Sequence, residues 1–187
     1  MRKNDNFYFT WTRQDTAPGF SVTGAKGARL FLKGGGSVLD MISTNFQAAF
    51  GLSDRRIIKA IEEQLHSLPV ASPKAMFGLK EAQTARLIDF LKLGKRGGKI
   101  FYTVSGAEAI ENALKMAREI TGKRYILARS KSYHGATLGA LSVTGDWRGQ
   151  GHFSVSGWTL RIPEPADDPD LKKTRKLIKE TGADRIA

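Results

Sequence analysis

The sequence predicts an α/β protein in which a small antiparallel β-meander precedes a domain with a mainly parallel sheet. Residues 19–42 alternate apolar and polar side chains between glycine turns, the pattern of a meander. Residues 99–128 read as strand, amphipathic helix and strand, an order that forms a right-handed parallel βαβ unit. We place the domain boundary near residue 73, which gives an N-terminal part of residues 1–73 and a second part of residues 74–187.

The N-terminal part starts with an aromatic arm that carries Phe7, Phe9 and Trp11. Aromatic side chains near a terminus usually dock on a surface, which is either the body of the same chain or a partner subunit. After the meander and a loop at residues 43–51, Ser53 is predicted to cap a helix that runs to about Leu68. Its predicted buried face consists of Ile57, Ile58, Ile61 and Leu65.

Two further amphipathic helices are predicted in the second part, over residues 79–93 and from Leu171 to about Thr181. Residues 146–157 are rich in glycine and polar side chains and predict a loop. Arg185–Ala187 is predicted to begin a strand.

The centre of the second part is the stretch that begins at Lys99. Ile100–Val104 suits a buried strand, and Ser105 with Glu108 three residues later is a capping-box pattern. The helix that follows has apolar side chains at three- and four-residue spacing and ends at Gly122. A helix that starts at Gly106 offers free backbone N–H groups to an anion, most often a phosphate. A capping box alone, however, more often marks a helix start where nothing binds.

A second turn supports the interpretation that the turn at Gly106 is a ligand-binding site. The next predicted strand, Tyr125–Ala128, leads into Ser132-Tyr133-His134-Gly135. In a parallel βαβ unit this turn opens at the same sheet edge as Gly106, where α/β proteins bind ligands. Tyr133 offers a flat face for stacking and His134 a hydrogen-bonding group, although alone the pair would be typical of a surface turn. Together the two turns predict a site for a flat, aromatic, phosphorylated cofactor.

The composition excludes several classes of protein. The chain has 187 residues with a net charge of +12, and it contains no cysteine, so disulfides and thiolate metal sites are excluded. It has no apolar run of bilayer-spanning length and no signal-peptide core near the N-terminus, which predicts a soluble cytoplasmic protein. The positive charge favours nucleic-acid binding, but the basic residues are dispersed and no nucleic-acid module is visible.

The runs S-G-A-E-A-x-E-x-A-x-K-x-A-R (residues 105–118) and Y-H-G-A-T-x-G-A-L-S-x-T-G (residues 133–145) resemble the class III aminotransferases. These are pyridoxal 5′-phosphate (PLP) enzymes of fold type I. The resemblance implies that Gly106 and Ala107 hold the cofactor phosphate through their amides, with Ser105 beside them. It implies that Tyr133 stacks on the pyridine ring, and that His134 and Gly135 complete that turn.

Some positions depart from the family pattern or leave its meaning open. Ala107 stands where the family often has Ser or Thr, which removes a hydroxyl but keeps the amide. Ile110 stands where Asn or a small residue is common. Glu111 matches a family position whose role the sequence does not reveal. Phe46 falls where amine–pyruvate-type members carry an aromatic residue in the substrate pocket, but core packing explains it equally well.

The resemblance covers the first half of such an enzyme, so the predicted fold is an incomplete fold type I transferase. The family's Schiff-base lysine and its pyridinium-pairing aspartate match no position here, and we assign no catalytic residue and no metal ligand to this chain. The implied activity is transfer of an amino group between an amine or amino acid and a keto acid, pyruvate or 2-oxoglutarate, in a homodimer. Without that lysine the chain alone is expected to be inactive.

Three alternatives remain open from the sequence. One is another fold type I PLP enzyme, such as an aminomutase or a decarboxylase. Another is a non-catalytic chain that completes its site with a second chain. The third is a basic nucleic-acid-binding protein, which retention on a polyanion at physiological salt would support.

Overall fold

The computed structural model describes residues 6, 8–17, 19–152 and 157–187 of the chain. Contacts between residues divide the chain into two units, Met1–Glu81 and Ala82–Ala187. Phe7 of the predicted aromatic arm lies outside the described residues.

The first unit contains the predicted meander. Strands β1 (Val22–Lys26), β2 (Arg29–Leu32) and β3 (Ser37–Leu39) form an antiparallel sheet in the order β1-β2-β3. Ala25 pairs with Leu30, which pairs in turn with Val38. Glycines with positive φ form the turns, as the sequence predicted.

A short irregular segment follows the meander. Ser43–Phe46 (α1) makes a single turn whose φ values lie between 49° and 68°. Four consecutive non-glycine residues in this left-handed region are strained, at about 1–2 kcal/mol each. The predicted loop at residues 43–51 is therefore a tight turn, and Leu52 then pairs with Gly27 of the meander.

The helix after this turn begins one residue later than the sequence suggested. Helix α2 spans Arg55–Ser67, and its N-cap is Asp54, whose carboxylate accepts a hydrogen bond from the Arg56 amide at 2.8 Å. The predicted cap, Ser53, instead donates its hydroxyl to the Ala25 carbonyl at 2.6 Å. Both residue types can cap a helix, and the contact with the meander decides between them.

The predicted burial of the apolar face of α2 is wrong for the described residues. Ile57, Ile61 and Leu65 are 43%, 54% and 56% exposed. With Phe50 and Leu79 they line an open groove. Helical spacing correctly identified this face, but spacing cannot say what covers it.

Four α-helices and two strands follow in chain order within the described part of the chain. Helix α3 (Gly78–Phe90) crosses from the first unit into the second. The others are α4 (Gly106–Thr121), β4 (Ile126–Arg129), α5 (Leu138–Val143), β5 (Thr159–Ile162) and α6 (Lys172–Thr181). Helices α3, α4 and α6 match the predicted ones, whereas α5 and β5 were not predicted. No helix among the described residues is long and apolar enough to cross a bilayer.

The predicted strand at Ile100–Val104 is wrong. Phe101 and Val104 are 61% and 98% exposed, and no strand in the described residues pairs with this segment. Strand β4 pairs in parallel with β5 instead, and Tyr125 forms a parallel bridge with Ile186. A strand needs a hydrogen-bonded neighbour, which β-propensity cannot supply.

The core of the second unit lies between α4 and the β4–β5 pair. Leu114, Ala128, Val143 and Trp158 are each less than 10% exposed and pack together. The Arg118 guanidinium lies 4.0 Å from the centre of the Trp158 ring. This packing fixes α4 on the sheet, so that the start of α4 and the turn after β4 have set positions.

Helix α6 is capped by Asp168, which lies three residues before the N-cap position. Leu171, at the N-cap position, makes no side-chain cap. The buried Asp168 carboxylate accepts hydrogen bonds from the Lys173 and Thr174 amides, both at 2.9 Å, and from the Thr174 hydroxyl at 2.7 Å. Asp168 thus satisfies backbone donors that the first turn of a helix leaves unpaired.

The cap at α6 gives a test of this arrangement. Asp168→Ala should lower the free energy of unfolding by about 1–2 kcal/mol, since it removes the acceptor for these donors. Asp168→Asn keeps an acceptor oxygen and should cost less. Urea denaturation of both variants measures the difference, and equal stability of Asp168→Ala and the parent would contradict the assigned cap.

Candidate functional site

The start of α4 has the predicted cap and leaves two amides available. The Ser105 hydroxyl accepts a hydrogen bond from the Glu108 amide at 3.1 Å, and the Glu108 carboxylate accepts one from the Val104 amide at 3.0 Å. Within the described parts of the chain, the amides of Gly106 and Ala107 have no acceptor. Two free N–H groups at the positive end of a 16-residue helix suit an anion.

The turn after β4 lies directly against the start of α4. Gly135 has φ +129°, and a Cβ at this position would lie 2.6 Å from the Ala107 Cβ. No residue with a side chain could approach Ala107 this closely. The structure therefore brings together Ser105, Gly106 and Ala107 with the turn that holds Tyr133, His134 and Gly135.

Tyr133 is 39% exposed, and a cation lies over one face of its ring. The Arg148 guanidinium is 3.8 Å from the ring centre. Asp146 holds this guanidinium through a hydrogen bond from Arg148 Nε at 3.0 Å and accepts the Arg148 amide at 2.9 Å. The bond with Asp146 raises the pKa of Arg148, which stays charged. Sequence reasoning did not single out this pair.

His134 is held mainly through its backbone. Its amide donates to the Thr144 hydroxyl at 3.0 Å, and that hydroxyl donates to the Ala140 carbonyl at 2.9 Å. The half-buried His134 side chain lies among apolar residues that include Ile110 and Val143. Burial, together with the positive charge of Arg161, lowers the pKa of His134, so its ring is neutral at pH 7.

Glu111 joins α4 to α5. One oxygen of its carboxylate accepts the amides of Gly139 at 2.8 Å and Ala140 at 3.2 Å. A hydrogen bond from the Thr137 side chain lowers the pKa of Glu111, and these two amides lower it further. Thr137 is the N-cap residue of α5 but makes no side-chain cap of its own. The carboxylate of another helix therefore performs this function.

The other end of α5 is held by Arg161 of β5. Its guanidinium donates to the carbonyls of Ser142 at 3.0 Å, Val143 at 2.6 Å and Thr144 at 2.7 Å. Partial burial of the guanidinium lowers the pKa of Arg161. These bonds satisfy carbonyls that the end of a helix leaves unpaired.

Phe46, the predicted substrate contact, belongs to the first unit. It lies in the left-handed turn α1 and is 86% exposed. The sequence motif contained Glu111, Gly139 and Thr144 but gave no sign of their contacts. These pairings depend on how α5 lies on α4, and α5 itself was not predicted.

The lowered pKa of Glu111 predicts how the free energy of unfolding depends on pH in the acid range. A folded-state pKa below the unfolded value of about 4.3 gives stability that is present above that pH and is lost as the pH falls through the folded pKa. Glu111→Gln should lower the free energy of unfolding by about 1 kcal/mol at pH 7. The deficit should shrink below about pH 4, where the parent carboxyl becomes protonated.

Urea denaturation at both pH values measures this deficit. Glu119 is an exposed carboxylate on the same helix, and Glu119→Gln is the matched control. A deficit for Glu111→Gln that does not change with pH would contradict an ionised carboxylate as the acceptor.

A family model and the relatives described below all indicate one family for this chain. The model of the family described as Aminotransferase class-III matches residues 10–184. An acetylornithine aminotransferase of Halalkalibacterium halodurans is 35% identical over 125 residues, which make up 67% of this chain and 32% of the relative. An enzyme of the same name from Clostridium acetobutylicum is 32% identical over 172 residues, or 88% of this chain and 43% of the relative.

A solved structure with a similar fold is the taurine:2-oxoglutarate aminotransferase of Bifidobacterium kashiwanohense, in complex with PLP and glutamate. It matches with a TM-score of 0.82 and 25% identity over 96% of this chain and 44% of its own. The predicted fold type I architecture is thereby confirmed. The chain spans less than half the length of these three relatives. The match over residues 10–184 shows that the chain belongs to the class III aminotransferase family.

Proposed function

We propose that this chain binds PLP and serves the transfer of an amino group between an amine or amino acid and a keto acid, pyruvate or 2-oxoglutarate. The observation that carries the proposal is the contact of Gly135 with Ala107, which sets an aromatic turn beside two helix amides that have no acceptor among the described residues. Membership of the class III family supports it.

The residues at the start of α4 fit a phosphate. A Cβ built on Gly106 would meet no atom within 4 Å, so there is open space beside the backbone. The Gly106 and Ala107 amides donate into the phosphate, and the exposed Ser105 hydroxyl adds a third donor. Because a phosphate carries charge, these bonds are stronger than bonds between neutral groups.

The turn after β4 fits the ring of the cofactor. Tyr133 stacks on the pyridine, with Arg148 holding the tyrosine ring from one face. Gly135 permits the close approach of the turn to α4, and His134 keeps the turn in place through its bond to Thr144. When bound, PLP supplies an electron sink for bonds at the amine carbon. The residues at the start of α4 and in the turn after β4 bind and orient it.

The remaining parts of the proposal rest on the family. Phe46 contributes an aromatic wall to the pocket that selects the amino donor. The functional form is a homodimer in the cytoplasm. Because the lysine that the family uses to hold PLP covalently matches no position, the 187-residue chain alone binds PLP without a covalent bond.

Removing one amide tests the phosphate site. Proline fits the first helical position, and Ser105, with φ −151° and ψ 159°, already has the extended backbone required before proline. Gly106→Pro should therefore keep the helix but lose one donor to the phosphate. We expect PLP to bind at least about tenfold more weakly, since a charge-assisted hydrogen bond contributes about 1.5–3 kcal/mol.

Pyridoxal, which lacks the phosphate, should bind Gly106→Pro and the parent equally well. Gly106→Ala is the matched variant because, like proline, it adds a Cβ but it retains the amide, so the difference between the two variants reports the N–H group alone. Equilibrium dialysis gives the affinities, and thermal unfolding checks the fold. Equal affinity of Gly106→Pro and the parent for PLP would place the phosphate elsewhere.

Amino transfer is tested on the protein purified from its own cells. Its intact mass is measured first and compared with 20.5 kDa. A panel of amines and amino acids is then supplied with pyruvate or 2-oxoglutarate, and alanine or glutamate is measured. A longer product is expected to turn over, and a product of 20.5 kDa is expected to be inactive alone. A longer product that binds PLP but transfers no amino group would contradict the proposed activity.

A further inference from the structure

We propose that Glu111 is a positioning residue for the cofactor, because it fixes the distance between the phosphate-binding start of α4 and the ring-binding turn at Tyr133. The inference rests on the proposed function. Glu111 itself neither touches the proposed cofactor nor takes part in the chemistry.

The two segments meet at two matched points. Ala107 and Glu111 are four residues apart and lie on one face of α4. Gly135 and Gly139 are also four residues apart, and each lies against one of them. A Cβ on Gly135 would lie 2.6 Å from the Ala107 Cβ, and a Cβ on Gly139 would lie 2.9 Å from Glu111 Cδ.

The two contacts between α4 and the following segment are stabilised by different interactions. At Ala107 and Gly135 the contact is apolar packing with no hydrogen bond between them. At Glu111 and Gly139 it is a set of charge-assisted hydrogen bonds to the first turn of α5. Among the described residues, every hydrogen bond between α4 and α5 ends on Glu111. The packing contact sets how close the segments can come, and Glu111 keeps them there.

The remaining hydrogen bonds of α5 do not involve α4, and Val143 near its C-terminal end packs in the core with Leu114 of α4. Arg161 of β5 holds its last carbonyls, and Thr144 ties its end to the His134 amide. Without Glu111, the C-terminal end of α5 stays fixed while its first turn is released. The turn at Tyr133–Gly135 is bonded to that fixed end at the His134 amide but leads at Gly135 into the released first turn, so Gly135 is the part that moves against Ala107.

This matters for a ligand with two separate attachment points. PLP binds the α4 amides through its phosphate and Tyr133 through its ring. Its affinity depends on both contacts being available at one separation. A ligand that makes only one of the contacts does not depend on that separation. Pyridoxal, which makes the ring contact alone, is such a ligand.

The test measures PLP and pyridoxal binding by equilibrium dialysis, in the protein as produced from its natural gene. Glu111→Ala should weaken PLP binding by about tenfold or more and pyridoxal binding by less than about threefold. The circular dichroism of the bound PLP should also fall, because the ring loses its fixed orientation. Glu111→Gln keeps an acceptor oxygen and should restore part of the affinity. Glu119→Ala, on the exposed face of α4, should behave as the parent.

A double-mutant cycle tests the contact itself. Gly139→Ala in the parent forces a methyl group onto the Glu111 carboxylate and should weaken PLP binding to a similar extent. In the Glu111→Ala background the methyl group has room, so the same substitution should have little further effect. This variant and Glu111→Gln keep the proposal testable if Glu111→Ala fails to fold.

The outcomes separate the two proposals. Parent protein that does not bind PLP overturns the proposed function and this inference with it. Parent protein that binds PLP while Glu111→Ala binds it equally well overturns the inference alone. Equal weakening of PLP and pyridoxal, or additive effects of Glu111→Ala and Gly139→Ala, also overturns it. Selective loss of PLP affinity with non-additive effects supports it.

Discussion

The close approach of the turn at Gly135 to the first residues of α4 is the contact on which the second unit depends. No side-chain carbon fits between Gly135 and Ala107. The same applies further along the segment, where a Cβ on Gly145 would lie 2.6 Å from the backbone of Ser130. Glycine costs backbone entropy on folding, so its repeated use here reflects a requirement for close packing. Larger residues would separate the helix from the turn.

Short helices gain little from their own hydrogen bonds, because the groups at their ends stay unpaired. With only six residues, α5 has few internal bonds. Glu111 supplies a negative group where the helix presents N–H donors, and Arg161 supplies a positive group where it presents carbonyls. Both partners come from elements already fixed by the core. Tertiary contacts therefore hold α5 in place.

The elements that could be predicted from the sequence are those that depend on local patterns of residues. Helix α4, with Ser105 at its start and Gly122 at its end, could be identified from capping chemistry and spacing. The meander followed from glycine turns and alternation. The strand at Ile100–Val104 was predicted wrongly, because its composition fits a strand but pairing depends on a distant neighbour. Glu111 is visible in the motif, yet its partners at Gly139 and Ala140 are not, since α5 has no strong helical pattern.

Two arginines whose guanidinium groups are bonded within the fold, Arg148 and Arg161, also affect how the protein would bind polyanions. The formal charge of +12 counts every guanidinium equally. Arg161 directs its guanidinium at three carbonyls of the fold, and Arg148 lies between Asp146 and an aromatic ring. Neither group is placed to exchange its counterions for phosphates of a nucleic acid. Fewer guanidinium groups are therefore free for direct contact with phosphates than the number of arginines in the chain implies.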